Sequence, residues 1–435
     1  MATVAFHTLG CKVNTYETEA MWQLFKDQGY TRTDFKSASD VYVINTCTVT
    51  NTGDSKSRKA IRQAIRRNPE AIIVVTGCYA QIAPKEIMDI EGVDIVVGTQ
   101  GREQLMDYVT KYQAERQPIN AVTNIMKQKS FETLGVETFT ENHRAFLKIQ
   151  EGCNNFCTYC IIPWARGLMR SRDPKEVIEQ SQKLVAAGFK EIVLTGIHTA
   201  GYGEELEGYD FADLLNDLDT QVPGLERIRI SSIEASQVDG KVIEILKRSN
   251  KVVDHLHIPL QGGSDDVLKR MRRNYDTAEF KAKIAELREI FPTLAITTDV
   301  IVGFPGETDE EFQETFDLIR EVGFSELHVF PYSKRNGTPA AKMPDQVPDL
   351  VKTARVAKLI ALSEQLAKNY ASQFEGETVQ IIVEEMDKKN PGYVQGHSGN
   401  YLKVRFAGDE SLIGQMVDVH LEQAGYPICE GILLD

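Results

Sequence analysis

Three short apolar runs near the start of the chain each lead into a cysteine. The runs "TVAFHTLG", "DVYVINT" and "AIIVVTG" precede Cys11, Cys47 and Cys78, and helix-like stretches separate them. Cys47 follows Cys11 by 36 residues and Cys78 follows Cys47 by 31 residues, about one strand–helix unit each. This alternation predicts a parallel sheet with helices on both faces, and the carboxyl ends of such strands line one crevice. We therefore expect these three thiols to converge.

Two further patterns follow along the chain. A polar stretch over residues 114–138 is predicted to be a linker or a pair of weak strands. Six apolar runs separated by helical segments then predict a partial or complete α/β barrel over 139–370, with functional residues at the carboxyl ends of its strands. Short alternating runs broken by glycine and asparagine over 371–435 are typical of a small antiparallel β-barrel. The predicted fold class is α/β, with a doubly wound parallel-sheet domain over 1–113.

Composition limits the classes of function. The 435 residues carry a net charge of −14, which argues against a protein that coats nucleic acid through bulk charge, although local basic patches remain compatible with it. No apolar run approaches the ~20 residues that a membrane span needs, and the N-terminus lacks a signal-peptide pattern. We expect a cytoplasmic protein without a membrane partner. Seven cysteines in such a chain favour metal binding or catalysis over disulfides.

Three of those cysteines stand within the segment "CNNFCTYC", just past the first strand of the predicted barrel. Cys153, Cys157 and Cys160 are spaced by three and then two residues. A structural zinc site would need a fourth ligand, and His143 is ten residues upstream. A four-iron cluster held by three cysteines would keep one iron open for another ligand. The residues alone leave the zinc and the iron–sulfur interpretations open.

The spacing of these cysteines, with Tyr159 before the last of them, resembles that of the radical S-adenosylmethionine enzymes. The segments "TLGCKVN", "VINTCTV", "TGCYA", "IIPWARGLMRSR", "DVIVGFPGET" and "FPYSKRNGTPAA" resemble motifs of the methylthiotransferase family within that superfamily. The C-terminal segment resembles the RNA-binding TRAM barrel. Its few basic side chains predict a small RNA contact, with Tyr393 and Tyr401 as candidate stacking platforms.

The resemblance implies two [4Fe-4S] clusters, one on Cys153, Cys157 and Cys160 and one on the three strand-end cysteines, and two S-adenosylmethionine molecules per turnover. It is strongest to the bacterial branch that adds a methylthio group at C2 of threonylcarbamoyladenosine, next to the tRNA anticodon. The implied partners are the tRNA anticodon loop, a flavodoxin- or ferredoxin-like electron donor and a sulfur source. The alternatives are isopentenyladenosine tRNA, a ribosomal-protein aspartate, or a zinc-stabilised RNA-binding protein without catalysis.

The resemblance and the positions after predicted strands also suggest contact residues. The candidate cofactor-binding residues are Tyr159, Thr195, Gly196, Ser232, Glu234, Val302 and Phe330. Glu234 could instead form an ion pair at the barrel rim. The candidate substrate-binding residues are Arg166, Arg170, Lys334 and Arg335. A threonylcarbamoyl group carries a carboxylate, so its pocket should hold a cation, and Arg166 is the first candidate.

Overall fold

The computed structural model describes residues 1–136, 139 and 143–434. Its N-terminal part is a six-stranded sheet in the order β2-β1-β3-β4-β5-β6, and every neighbouring pair is parallel. The strands are β1 (Thr3–Thr8), β2 (Thr31–Thr33), β3 (Val41–Thr46), β4 (Ile72–Gly77), β5 (Ile95–Val96) and β6 (Ile119–Asn120). The short edge strand β2 was not predicted, and β6 lies in the stretch that was predicted to be a linker or a pair of weak strands.

Helices cover both faces of this sheet, so it is doubly wound as predicted. Two separate apolar clusters form, one on each face, because β3 and β4 are apolar at every position but their last two. The helices are α1 (Lys12–Asp27), α2 (Asn51–Arg67), α3 (Cys78–Ile82), α4 (Pro84–Met88) and α5 (Leu105–Glu115).

The central part contains six parallel strands in two groups of three, in the orders β11-β10-β7 and β12-β13-β14. A parallel bridge between Ile228 and Val252 joins the two groups. The strands are β7 (Ala145–Lys148), β10 (Glu191–Thr195), β11 (Arg227–Ile230), β12 (His255–His257), β13 (Ala295–Val302) and β14 (Glu326–Pro331). No pairing joins β7 to β14 within the described ranges, so the barrel is partial. The predicted boundary at residues 138 and 139 falls partly outside the described residues.

Helices pack against the outer face of these strands and enclose the largest apolar cluster of the chain. They are α7 (Pro174–Ala186), α8 (Phe211–Gln221), α9 (Gly240–Arg248), α11 (Thr277–Ile290) and α12 (Asp309–Val322). The short helices α6 (Ile162–Arg166) and α10 (Asp265–Met271), which the structure describes in full, contribute no residue to this cluster. A short antiparallel pair, β8 (Gln150–Glu151) and β9 (Arg170–Ser171), flanks the first strand. Helix α1 of the N-terminal sheet packs against β7 through Tyr16 and Ala20, and thereby covers one edge of the partial barrel.

The C-terminal part is a closed five-stranded barrel in the order β15-β16-β17-β19-β18. Helix α13 (Asp349–Ala371) leads into β15 (Thr378–Met386), β16 (Tyr393–Ser398), β17 (Lys403–Ala407), β18 (Met416–Gln423) and β19 (Cys429–Leu433). The predicted antiparallel barrel is confirmed, except that β17 and β19 pair in parallel. Within the described residues, no helix has an apolar stretch long enough to cross a bilayer.

The C-terminal barrel docks at the end of the central barrel where its strands begin. Tyr401 stacks on His255, with ring centroids 4.9 Å apart, and the Arg229 guanidinium lies 4.8 Å from the Tyr401 ring centroid. Arg229 also donates to the Gly399 carbonyl at 3.0 Å. Tyr401 is therefore used in domain docking and is not free to stack on a nucleobase, whereas Tyr393 is exposed.

Candidate functional site

The cysteines that follow β1, β3 and β4 lie at one edge of the N-terminal sheet. Cys11 precedes α1, and Cys78 begins α3. The glycines that precede Cys11 and Cys78 let the backbone of these loops approach the segment around Cys47. Gly77 has a φ of +95°, and a Cβ there would lie 2.4 Å from the Thr46 carbonyl oxygen; Gly10 has a φ of +113° and a Cβ there would lie 3.3 Å from the Cys47 sulfur. The structure thus brings together the three thiols that strand alternation predicted to converge.

Behind Cys78 lies Arg166, which is completely buried. Its Nε lies 3.1 Å from the Cys78 sulfur, and its Nη2 donates to Asn14 at 2.6 Å and to Glu17 at 3.1 Å. Its Nη1 lies 3.2 Å from Glu151. The Arg166 guanidinium therefore connects the Cys78 sulfur to a carboxylate of the N-terminal part, Glu17, and to one of the central part, Glu151. These contacts occupy its N–H donors.

Glu17 is the centre of this buried ion network. Lys148 lies 2.9 Å from it and Arg102 lies 2.6 Å from it, while Arg102 also pairs with Glu132 at 2.6 Å. Burial alone would raise the pKa of Glu17, but Arg102, Arg166 and Lys148 hold that pKa well below its ordinary value. The network fixes α1, and with it the loop of Cys11, against the central barrel.

The second group of thiols lies in the loop after β8. Phe156 adopts a left-handed conformation with a φ of +46° and packs edge-on against Trp164, with ring centroids 5.1 Å apart. Thr158 pins the loop to two other segments. Its N–H donates to the Met271 carbonyl at 3.0 Å, and its carbonyl accepts from the Ala340 N–H at 2.9 Å. The motifs "KRMRR" and "GTPAA" therefore hold the loop of Cys153, Cys157 and Cys160.

The two groups of thiols fit iron–sulfur clusters better than a single ion. All six cysteines are free thiols. Zinc–sulfur bonds of about 2.3 Å would place tetrahedral ligand sulfurs within about 4 Å of one another. Among the described residues, the one group whose ligand atoms all lie within 4.8 Å contains no cysteine. A cluster with several metal atoms spans a wider spacing, so these donor sets suit it.

Burial keeps most of these thiols protonated when no metal is bound. It raises the pKa of Cys78 and of Cys160 to about 12 and that of Cys153 to about 11, and it also raises the pKa of Cys47. Metal binding must therefore displace protons. Two arginines offset the resulting negative charge: Arg166 beside Cys78, and Arg273, whose Nη1 lies 3.3 Å from the Cys157 sulfur.

A cavity of about 260 Å³, which we call the chamber, reaches from the loop of Cys160 to the segment that follows Cys47. Cys160 and Tyr159 line one side, and Thr50, in the loop after Cys47, lines another. Phe330 and Asp299 from the central strands complete the wall. A second cavity, of about 310 Å³, lies beside Cys157 and is lined by Glu234 and Arg273.

The predicted cofactor-binding residues occupy different positions around these cavities. Glu234 forms an ion pair with Arg273, as the alternative interpretation expected. The Thr195 hydroxyl donates to the Val193 carbonyl at 3.2 Å. Gly196 faces Gln150 closely, since a Cβ there would lie 2.9 Å from its side-chain oxygen. Ser232 is half-buried after β11.

Two of the remaining candidates differ in exposure. Phe330 is exposed in the chamber. Val302 is completely buried in the apolar cluster between the central strands and the helices that surround them. Because side chains alternate along a strand, its neighbour Ile301 faces the chamber instead.

The predicted substrate-binding residues divide into buried and exposed positions. Arg166 and Arg170 are buried, and Arg170 donates to the Arg166 carbonyl at 2.9 Å, so the structure leaves neither at a surface open to substrate. Arg335 is also buried and pairs with Asp54 at 2.8 Å. Lys334 is exposed, and its carbonyl accepts from the Asn51 side chain at 3.1 Å.

Arg335 joins the two sides of the chamber. Its Nη1 donates to the Asn51 side-chain oxygen at 2.6 Å, and its Nη2 donates to Thr48 at 2.5 Å. Both partners belong to the segment that follows Cys47. The loop after β14 therefore clamps the segment after Cys47 beside the barrel opening.

Sequence reasoning missed two buried polar residues of this region, Asn14 and Glu17. The Asn14 amide donates to the Leu9 and Thr46 carbonyls, at 2.6 and 3.1 Å, and so ties the loop of Cys11 to β3. Both residues stand on the buried side of α1, where polar residues are uncommon. Polar residues on the apolar face of a predicted helix were the sequence signal that could have identified them.

Comparisons with known proteins agree with this arrangement. Residues 147–319 match the radical SAM superfamily, and residues 3–98 match the family described as Uncharacterized protein family UPF0004. The chain is 64% identical over 433 residues to threonylcarbamoyladenosine tRNA methylthiotransferase MtaB of Bacillus subtilis, covering 99% of this chain and 96% of that protein.

More distant relatives cover a similar length. The Aquifex aeolicus protein of the same name is 39% identical, covering 92% of this chain and 98% of its own. The tRNA-2-methylthio-N(6)-dimethylallyladenosine synthase of Clostridium novyi is 36% identical, covering 96% and 93%. Among solved structures, the radical S-adenosylmethionine methyltransferase TsrM from Kitasatospora setae, with cobalamin and a [4Fe-4S] cluster bound, shares the fold at a TM-score of 0.58. It is 13% identical and covers 91% of this chain and 81% of that chain.

Proposed function

Since the chain belongs to the radical S-adenosylmethionine methylthiotransferase family, whose members carry a [4Fe-4S] cluster and use S-adenosylmethionine, we propose that it modifies tRNA. The reaction adds a methylthio group at C2 of threonylcarbamoyladenosine next to the anticodon. The 64% identity over nearly the whole chain to a relative named for this substrate supports that choice. A tRNA substrate would place the reaction in the cytoplasm.

The observation that carries this proposal is the chamber that Cys160 and the segment after Cys47 line together. Methylthiolation replaces a carbon–hydrogen bond by a carbon–sulfur bond, so hydrogen abstraction and sulfur delivery must reach the same carbon. Cys160 lines one wall of the chamber, and the segment after Cys47 lines another. A nucleobase in the chamber would lie between the two.

We assign one [4Fe-4S] cluster to Cys153, Cys157 and Cys160, and a second to Cys11, Cys47 and Cys78. When bound, the first supplies the electron that cleaves S-adenosylmethionine into a carbon radical, and the second holds the sulfur to be transferred. An electron donor and a sulfur source complete the partners. Three thiols in each group leave one iron open to a ligand.

The residues of the chain would perform three tasks. Arg166 and Arg273 would balance the charge of the thiolates, because each places a guanidinium N–H about 3 Å from a sulfur. Arg335 would keep the segment after Cys47 against the chamber. The buried aromatic and apolar wall would exclude water from a radical.

We propose that S-adenosylmethionine binds in the cavity beside Cys157, with its adenine at the edge of the chamber, and that the nucleobase takes the rest of the chamber. Tyr159 and Phe330 would contact its adenine, with Ile301 in the place foreseen for Val302. Gly196 and Thr195 would offer backbone groups, and Ser232 and Glu234 would bind polar groups of the cofactor. The Glu234–Arg273 pair would then have to rearrange or to share its hydrogen bonds with the ligand.

The decisive experiment is anaerobic reconstitution with iron and sulfide, followed by reductant, S-adenosylmethionine and tRNA. Three tRNA preparations should be compared: one with threonylcarbamoyladenosine, one with isopentenyladenosine and one with unmodified adenosine. Mass spectrometry of the digested nucleosides should show a methylthio gain in the first preparation alone. A gain only with isopentenyladenosine would refute the substrate assignment, and no gain on any tRNA, despite cleavage of S-adenosylmethionine, would refute the tRNA reaction.

A further inference from the structure

Two histidines and an aspartate lie together inside the central barrel, apart from both groups of thiols. His257, Asp299 and His328 belong to β12, β13 and β14, and one ligand atom from each lies within 4.8 Å of the other two. Among the described residues, no other set of histidine, cysteine, aspartate and glutamate side chains meets this distance. Asp299 is part of the chamber wall, and no role has been assigned above to either histidine.

The backbone fixes the three positions relative to one another. Strand β13 is hydrogen-bonded to β12 on one side and to β14 on the other. Asp299 pairs directly with His328, and His257 pairs with Thr297, two residues before Asp299 on the same strand. Residues two apart on a strand share a face, so the three side chains point into the barrel at neighbouring positions.

The hydrogen bonds of His257 match those of a metal-binding histidine. Its Nδ1 lies 2.9 Å from the Thr297 hydroxyl, and its Nε2 lies 3.4 Å from an Asp299 carboxylate oxygen. Ligating histidines bind the metal through one ring nitrogen, while a polar group orients the ring through the other. Thr297 provides that second contact, which leaves Nε2 facing the carboxylate.

We propose that His257, Asp299 and His328 bind one divalent transition-metal ion. Two imidazoles and one carboxylate are a donor set that suits Mn²⁺, Fe²⁺, Co²⁺ or Zn²⁺, and three protein ligands leave coordination positions for other groups. His328 is exposed and Asp299 is half-buried, although both face into the barrel. Small ligands can therefore reach the open positions of the ion.

The ion would also remove a repulsion between Asp299 and the carboxylate of the substrate. This consequence rests on the proposed function. Asp299 lines the chamber, and the lining that the structure describes contains no lysine, arginine or histidine. A threonylcarbamoyl carboxylate entering there would meet a negative charge. A divalent ion on Asp299 reverses that charge, and the substrate carboxylate can take one of its open positions. It would be the cation that Arg166 does not provide.

Manganese binding tests the site without reference to catalysis. Mn²⁺ should be titrated into the cluster-loaded, oxidised protein, and the free ion should be measured by its electron paramagnetic resonance signal. Oxidised four-iron clusters give no such signal, and Mn²⁺ has little affinity for thiolates, so the cysteines do not compete. The wild type and the variants His328→Ala and Asp299→Asn should be compared, with His420→Ala as the control, because His420 lies on β18 of the C-terminal barrel.

We expect a saturable site in the wild type and in the control, and binding weaker by at least roughly tenfold in the other two variants. His328 is exposed, so its removal opens no core cavity, and cluster absorbance checks that each variant is folded. Equal Mn²⁺ binding in all four proteins would overturn the metal site, whether or not tRNA is modified.

The substrate contact has a separate readout. If the ion binds the substrate carboxylate, His328→Ala should raise the KM for tRNA carrying threonylcarbamoyladenosine while cleavage of S-adenosylmethionine without tRNA stays unchanged. Lost Mn²⁺ binding with an unchanged KM would overturn the carboxylate contact alone. Absence of product in the wild type would refute the proposed function and would not alter the manganese titration.

Discussion

Replacing Arg166 with methionine should loosen the junction between the N-terminal sheet and the central barrel. The methionine keeps much of the length of the side chain but removes its charge and its five donors. Glu17 and Glu151, both almost completely buried, would lose one of their cationic partners. Removing one partner from a buried ion pair typically costs about 3–5 kcal/mol, because the remaining charge stays buried.

Amide hydrogen exchange can locate that loss. A cost of 3–5 kcal/mol corresponds to local opening, and hence amide exchange, that is faster by roughly 10² to 4 × 10³, since each 1.4 kcal/mol is a factor of ten. The largest increase in exchange rate should appear in peptides from α1, which carries Glu17. Exchange should be measured anaerobically on cluster-loaded protein. Arg320→Met is the matched control, because its ion pair with Asp317 is exposed and should contribute at most about 1 kcal/mol.

Two results would decide against this reasoning. If Arg166→Met and Arg320→Met showed the same exchange in α1, the buried network would not hold the junction. The double variant Glu17→Gln with Arg166→Met gives a second check. The double variant should recover part of the protection against exchange that Arg166→Met loses, because a neutral amide replaces the carboxylate that is left without its partner.

Three further outcomes follow from the site. Cys47→Ala should halve the iron content of the reconstituted protein, whereas Cys429→Ala, which removes a buried thiol bonded to the Gly425 carbonyl, should leave it unchanged; equal iron in both would contradict two clusters. Arg335→Ala should lower methylthio product much more than S-adenosylmethionine cleavage, measured as 5′-deoxyadenosine, and an equal fall in both would contradict its clamping role. In metal-free protein, the stabilisation from Glu17, whose pKa is lowered on folding, should be complete above its ordinary pKa of 4.5 and be lost as the pH falls below it. Melting temperatures across that range should fall less steeply in Glu17→Gln.

The sequence was sufficient for the features that depend on order along the chain. Cys11, Cys47 and Cys78 each follow an apolar run, and parallel strands bring such positions to one edge whatever the loops do. The loop of Cys153, Cys157 and Cys160 was readable because its spacing is local. The same reasoning gave three regions of distinct architecture, although it missed the parallel pairing of β17 with β19.

Contacts between distant segments could not be read in this way. Arg166 was expected to bind a substrate carboxylate, yet its carboxylate partner Glu17 stands 149 residues earlier and on another domain. Val302 was expected to contact the cofactor, but Ile301 faces the chamber instead, because the inward face of β13 is set by its pairing with β14, which no single strand reveals. Tyr401 was expected to stack on RNA, and only the folded chain shows it against His255.

The docking of the C-terminal barrel has a geometric consequence for the RNA. That barrel is attached where the central strands begin, through Tyr401 and Arg229, and the chamber opens where they end. The seven steps from Ala295 to Val302 along β13 separate these two levels by ~23 Å at 3.3 Å per residue. A free nucleoside could fill the chamber but could not touch both places. An RNA held by both must be a stem-loop or longer, running along the outside of the protein between them.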